Sequence, residues 1–313
     1  MRLAFLSLLL AVAGCASLPP KGEEGEPKII TTPVPLDGQA AAHDRVGRLR
    51  YLGGLALTSP DKRFGGLSGL RWDGRQLVAV GDTGTIVSLI PREDAAARLV
   101  GIASARLKPL LDPEGVPLAG KADGDAESIT GDGEGGWLVG FEGNHRIWRY
   151  RRFGGPAEPT AIDPQRLLGP LESNSGVEAL AGSPAAPILC AERQAGPDRP
   201  NCWDGHPFAA LPPPEIGARG GVPTDMDELG GRGHLLVLFR SFSLMAGAGA
   251  AVVERLPDGS IRPVATLLPP LTLDNMEGLA VRRADGRTFV YLLSDDNFNP
   301  FQRTLLMKFE LLP

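Results

Sequence analysis

The chain has only 3 cysteines and 4 histidines among its 313 residues, and neither set supports thiolate or imidazole chemistry. His43, His145, His206 and His234 lie far apart, without the spacing of a metalloprotease helix. There is no Gly-x-Ser-x-Gly elbow, and Ser68, Ser128, Ser173 and Ser175 have no identifiable histidine partner, which argues against serine catalysis. Lys and Arg form no run, and 32 basic against 37 acidic side chains leave a net charge of −5, which argues against nucleic acid as the main partner. No long amphipathic helical pattern appears. The apolar stretch from Leu3 to Ala13 is too short to span a bilayer. What is present is 41 glycines, 29 prolines and a 42% hydrophobic content, the composition of many short strands joined by turns around a large core.

One pattern recurs along the chain. Leu67-Ser68-Gly69-Leu70, Ala126-Glu127-Ser128-Ile129, Val177-Glu178-Ala179-Leu180, Met226-Asp227-Glu228-Leu229 and Met276-Glu277-Gly278-Leu279 have second positions 59, 51, 49 and 50 residues apart. A near-constant period of this size indicates stacked or radially arranged units. Within each repeat, strand-like runs alternate with Gly-rich turns such as Asp73-Gly74, and the plan is a meander. The turn Gly131-Asp132-Gly133-Glu134-Gly135-Gly136 formally matches a dinucleotide fingerprint. Its two acids would repel pyrophosphate, and a strand follows it rather than a helix. The last repeat lacks a strand, and an orphan strand lies within Val46 to Thr58. Pairing this segment with Arg303 to Leu311 would close a ring and remove the exposed edges. The expectation is an all-β fold, a β-propeller of five blades with six as the alternative.

In a blade, the start of the innermost strand and the end of the second strand reach the same face. That geometry gathers Glu127, Glu178, Asp227 and Glu277 with Asp82, Glu142, Glu192, Arg193, Arg240, Asp295 and Asp296 around one mouth of the central channel. Carboxylates confined together repel one another, and a hard divalent cation relieves the repulsion. Oxygen donors in irregular geometry suit calcium better than zinc. The expected metal ligands are Glu127, Glu178, Asp227 and Glu277. Capping of neighbouring backbone N–H groups by the same acids is the competing reading. Arg193 and Arg240 are candidates for gripping an anionic substrate, with Arg146 nearby, and Glu142 or Asp296 for moving a proton.

The amino terminus reads as an address. Arg2, the apolar run and small residues resemble a secretory signal, and Val12-Ala13-Gly14-Cys15 resembles a bacterial lipobox. The expectation is a signal peptide at 1–14, a lipid anchor on Cys15, a flexible Pro-rich linker at 15–45 and the propeller at 46–313. The protein would be exported and held at the outer membrane, with its globular part in the periplasm. That compartment permits a disulfide between Cys190 and Cys202, with two buried thiols as the alternative.

Gly66-Leu67-Ser68-Gly69-Leu70, Asp125-Ala126-Glu127-Ser128-Ile129, Gly140-Phe141-Glu142-Gly143-Asn144-His145-Arg146-Ile147, Met276-Glu277-Gly278-Leu279 and Ser294-Asp295-Asp296-Asn297-Phe298 resemble a bacterial exported family named for phytase-like or esterase-like activity. The resemblance covers about Tyr51 to Leu311. It implies a propeller that hydrolyses an ester or phosphoester, without supplying a transferable catalytic set. The functional expectation is a metal-assisted hydrolase of a small anionic ester, acting as a monomer. A non-catalytic scaffold that binds an envelope ligand and a lactonase-like single-metal enzyme are the alternatives.

Overall fold

A computed structural model describes residues 26–40, 42–118, 120–192, 200–218 and 220–313. Cys15 and Arg193 lie outside them. Five antiparallel sheets follow one another along the chain. Blade I comprises Leu67–Trp72, Leu77–Gly81, Thr85–Glu93 and Leu99–Pro109, and blade II comprises Ala126–Gly131, Trp137–Phe141, Arg146–Tyr150 and Glu158–Pro159. Blade III is built from Val177–Ser183, Ala186–Ala191, Cys202–Trp203 and Pro207–Phe208. Blade IV is built from Val222–Glu228, Leu235–Ser243, Gly247–Arg255 and Ile261–Leu267. Blade V starts with Asn275–Ala284, Arg287–Asp295 and Thr304–Leu311 and takes its next strand, Leu49–Thr58, from the other end of the chain. The five innermost strands contact one another in sequence, and the last contacts the first. The ring is a five-bladed propeller.

Each blade packs both faces against its neighbours, so second strands such as those of blades I and II are apolar throughout instead of alternating. Leu77–Gly81 and Trp137–Phe141 are buried at all positions, whereas the outermost strand of blade I, Leu99–Pro109, alternates between core and solvent. Closure occurs where the sequence places it, with Thr304 opposite Leu57 and Leu311 opposite Leu49. The fully buried Lys308 adds a tie to blade I, its Nζ 2.8 Å from Glu93 Oε1 and donating to the Ala97 carbonyl at 2.8 Å.

The linker expectation for 15–45 needs correction. Ile30–Val34 forms a further strand on blade V, with Ile30 opposite Thr58 and Val34 opposite Gly54. Pro33 is tolerated because this is an edge strand, where an N–H facing outward has no ladder partner to lose. Leu36 is buried beyond it, and the Tyr51 hydroxyl donates to the Val34 carbonyl at 2.5 Å. The ordered fold therefore includes a segment expected to be flexible.

The disulfide forms. Cys190 and Cys202 face each other on adjacent strands of blade III, with an S–S distance of 2.01 Å. The third strand of that blade is only two residues long, so the covalent bond holds a strand that few ladder hydrogen bonds could hold.

Candidate functional site

Every innermost strand slips register against the second strand by one residue. The skipped positions are Gly69, Glu127, Glu178, Thr224 and Glu277. A bulge bends the strand and re-aims the side chain at that position. The structural repeat is therefore Ser68-Gly69-Leu70-Arg71, Ala126-Glu127-Ser128-Ile129, Val177-Glu178-Ala179-Leu180, Pro223-Thr224-Asp225-Met226 and Met276-Glu277-Gly278-Leu279. Blade I is offset by one residue from the sequence alignment and blade IV by three. Gly69, at φ 57°, occupies the slot where a Cβ would come within 3.0 Å of the Ile129 nitrogen of the next blade. Three blades carry glutamate on the bulge.

The correction to Asp227 follows from this offset. Asp227 does not join Glu127, Glu178 and Glu277. It lies on the opposite side of the channel beside Arg71, Asp73, Glu228 and Arg232, in a separate cavity of about 570 Å³. Its Oδ1 accepts from the Glu228 N–H at 2.8 Å, and its Oδ2 from Val281 at 2.8 Å.

The two cavities are divided by a buried ion pair made of two charged departures from the repeat. Where the other blades have Ile129, Leu180, Met226 and Leu279, blade I has Arg71. Where blades II, III and V have Ser128, Ala179 and Gly278, blade IV has Asp225. The Arg71 guanidinium meets Asp225 at 3.0 Å and donates to the carbonyls of Leu70, Leu180, Met226 and Leu279, which belong to four blades. Asp225 accepts from the N–H groups of Leu70 at 2.9 Å, Leu279 at 2.7 Å and Met226 at 2.8 Å. Even so, burial pushes its carboxyl up to about 6. Desolvation outweighs what the guanidinium and the N–H donors return.

On the other side of this plug lies a cavity of about 720 Å³ lined by Glu127, Glu178 and Glu277 from the bulges, and by Asp82, Glu142, Glu192, Arg240 and Asp295 from the ends of the second strands. Lys121, from the short helix Gly120–Gly124 between blades I and II, also faces it. Among the described residues that line it are eight acids and two cations, Lys121 and Arg240.

The electrostatics follow from this crowding. Burial, then Glu178 and Asp125, hold the Glu127 carboxyl well above its usual range. Burial and Glu277 do the same to Glu178. Glu277 is pushed up to about 7 by burial despite Arg240 Nε at 2.8 Å, and Asp295 is pushed to about 7, chiefly by burial. Glu142 is half-buried, raised by burial and then by Asp125, and accepts from the Gly176 N–H at 3.3 Å.

Other expected site residues have different partners. Arg240 is engaged by Glu277 and by Glu192 at 3.3 Å, so it holds two of the acids in place. Asp296 does not line the cavity. Its Oδ1 accepts from the Gly66 and Phe298 N–H groups, and its Oδ2 from the Thr304 hydroxyl, so it ties together the loop that carries it. Arg146 stacks over Phe141 and Trp148 at 4.0 and 4.1 Å, and His145 meets the Glu172 carbonyl.

The donor set fits a hard cation. It is all oxygen, it is mutually repelling, and among the described residues the buried Asp82 Oδ1 on its wall has no hydrogen-bond partner. Among the described residues no three His, Cys, Asp or Glu side chains already converge on one point, so a cation would have to draw the glutamates together.

An acid-mouthed five-bladed propeller is the class this fold and site define. A family profile described as "Phytase-like: Esterase-like activity of phytase" matches residues 62–298, and the chain belongs to that family. No curated protein matches the sequence significantly. Among solved structures, one provisionally designated a gluconolactonase aligns with TM-score 0.44 at 11% identity, over 90% of this chain and 93% of that one. The β-propeller domain of Cps50 (Swd1) from Myceliophteria thermophila aligns with TM-score 0.37 at 10% identity, over 92% and 100%. YCF48 bound to D1 peptide gives 0.33 at 12% identity, over 92% and 96%. These alignments are distant, and the blade count rests on the strand pairing itself.

Proposed function

We propose that the protein is a metal-assisted ester hydrolase working at the acidic mouth. The observation that carries this reading is the placement of Glu127, Glu178 and Glu277 on the same bulge of three blades, facing one cavity. These three would hold the cation, with calcium favoured by an all-oxygen donor set. A divalent cation bound there supplies polarisation of the ester oxygen and acidification of a water. Glu142, whose carboxyl keeps its proton above the ordinary range, is the group placed to accept and return a proton. Arg240 orients Glu277 and Glu192. With eight acids on the wall, an anionic substrate would enter only with the cation in place, and a neutral carboxylic ester meets no such barrier.

The test is a panel of carboxylic esters, phosphate esters and a lactone assayed with calcium and with chelator, on the wild type and on Glu178→Gln. Calcium-dependent turnover lost in the variant supports the reading. Absence of turnover on every substrate leaves a binding propeller.

We also propose that the chain is exported and anchored through Cys15, in keeping with the lipobox-like Val12-Ala13-Gly14-Cys15. Incorporation of labelled palmitate, lost in Cys15→Ala, would support this, and labelling that persists in the variant would refute it.

A further inference from the structure

Acids do not make up the whole of the mouth. Phe242 and Phe301 line the same cavity as Glu178 and Glu277, yet they are 64% and 91% exposed. Phe242 comes two residues after Arg240, near the end of the second strand of blade IV. Phe301 lies between the second and third strands of blade V. Beyond Phe242 the hairpin tip carries Leu244 and Met245, 95% and 100% exposed. Large apolar side chains gathered beside a cavity, rather than scattered singly, mark a surface that is covered in use.

The loop that carries Phe301 is a built structure. Asp296 fastens it to Gly66 and Thr304, Asn299 Oδ1 accepts from the Phe301 N–H at 3.1 Å, and the chain passes through left-handed conformations at Asn297 and Phe298 (φ 48° and 49°). Non-glycine residues adopt such angles only where their surroundings hold them. Asp296 is thereby a positioning residue for the rim.

We infer that Phe242 and Phe301 bind the apolar part of the substrate, so that the preferred ester is a carboxylic ester carrying an acyl or alkyl chain rather than a highly charged phosphate ester. The inference rests on the hydrolase reading above. Both rings belong to the cavity wall as well as its rim, so a ligand lying over them can also reach the carboxylates. A molecule with an apolar arm next to a polar, hydrolysable centre fits both. The polar end enters among the glutamates, and the chain runs outward over Phe242 and Phe301.

The experiment compares p-nitrophenyl acetate, butyrate and octanoate on the wild type and on Phe242→Ala/Phe301→Ala. Both positions are exposed, so the double variant should melt with the wild type. A fully buried methylene is worth about fourfold, and a half-covered one about twofold. The kcat/KM of the wild type should rise roughly twofold per methylene, and the octanoate-to-acetate ratio should fall toward one in the variant, mainly through KM. Calorimetric binding of octylphosphonate against methylphosphonate with calcium present is read in parallel. If no ester turns over but octylphosphonate binds more tightly and the variant abolishes the difference, the hydrolase reading fails and the apolar rim stands. Equal chain-length profiles in both proteins, by turnover and by binding, overturn the inference. So does a variant that loses binding to phosphatidylcholine vesicles while keeping the wild-type chain-length profile, since the rim would then serve a lipid surface.

Discussion

Replacing Asp225 by Asn, Arg71 by Met, and both together tests whether the axis of the propeller is held by one ion pair. Arg71 and Asp225 are 4% and 0% exposed. Either single change strands a buried partner, and breaking such a pair costs about 3–5 kcal/mol. Asp225→Asn leaves the guanidinium charged among four carbonyls, and Arg71→Met leaves a buried carboxylate that must take up a proton. The double variant has no stranded charge. It still takes the guanidinium donor away from the carbonyls of Leu70, Leu180, Met226 and Leu279, so its loss should fall short of the sum of the two single losses without vanishing. We expect each single variant to lose about 3 kcal/mol and the double variant to lose about 3–4, giving a coupling of at least about 2 kcal/mol. Reversible urea unfolding at pH 7.5, followed by tryptophan fluorescence, measures all four corners of the cycle. Losses that add to within about 0.5 kcal/mol would refute the pairing as a unit.

Three further outcomes are expected. Replacing Cys190 and Cys202 by Ser opens a loop with sequence separation 12 and should lower stability by about 3 kcal/mol in the same unfolding experiment. Unchanged stability would mean that the short third strand of blade III is held by its ladder. In chelator, stability should decline as pH rises from about 4.5 through 7 and then level off, because native Glu277 keeps its proton to about 7 whereas the unfolded chain releases it near 4.5. That group alone contributes a decline of about 3 kcal/mol, and Glu277→Gln should flatten the curve; a melting temperature that rises over this range would contradict the buried-acid account. Removing residues 26–35 should destabilise blade V measurably, since Ile30–Val34 covers the edge at Leu49–Thr58, whereas a true spacer would be removed without effect.

Much of this architecture is written in the sequence. The near-50-residue period, the unmatched strands at the two ends and the placement of Cys190 opposite Cys202 are local or periodic features, and each survives in the structure. Glu127, Glu178 and Glu277 were legible because they share one slot with small residues beside them. The fourth repeat misled because Met226-Asp227-Glu228-Leu229 imitates the pattern three residues late, while Pro223-Thr224-Asp225-Met226, which fills the slot, carries neither the glutamate nor the small residue. Arg71 and Asp225 were invisible for a related reason. Both break the repeat, they stand in different blades, and only the closed ring brings them together. Ile30–Val34 was hidden by Pro33, a residue that an edge strand alone admits. Of the aromatic rim, Phe301 lies in an inter-strand loop and Phe242 near the end of a strand, where no periodicity reaches.

The most direct test of the acidic mouth is calorimetric titration of calcium into the chelator-stripped protein at pH 8, repeated with Glu127→Gln/Glu178→Gln/Glu277→Gln. The wild type should bind with proton release, and binding should vanish in the triple variant while it stays folded or gains stability through the loss of mutual repulsion. Calcium binding of equal strength in both proteins, or none in the wild type, would contradict the account.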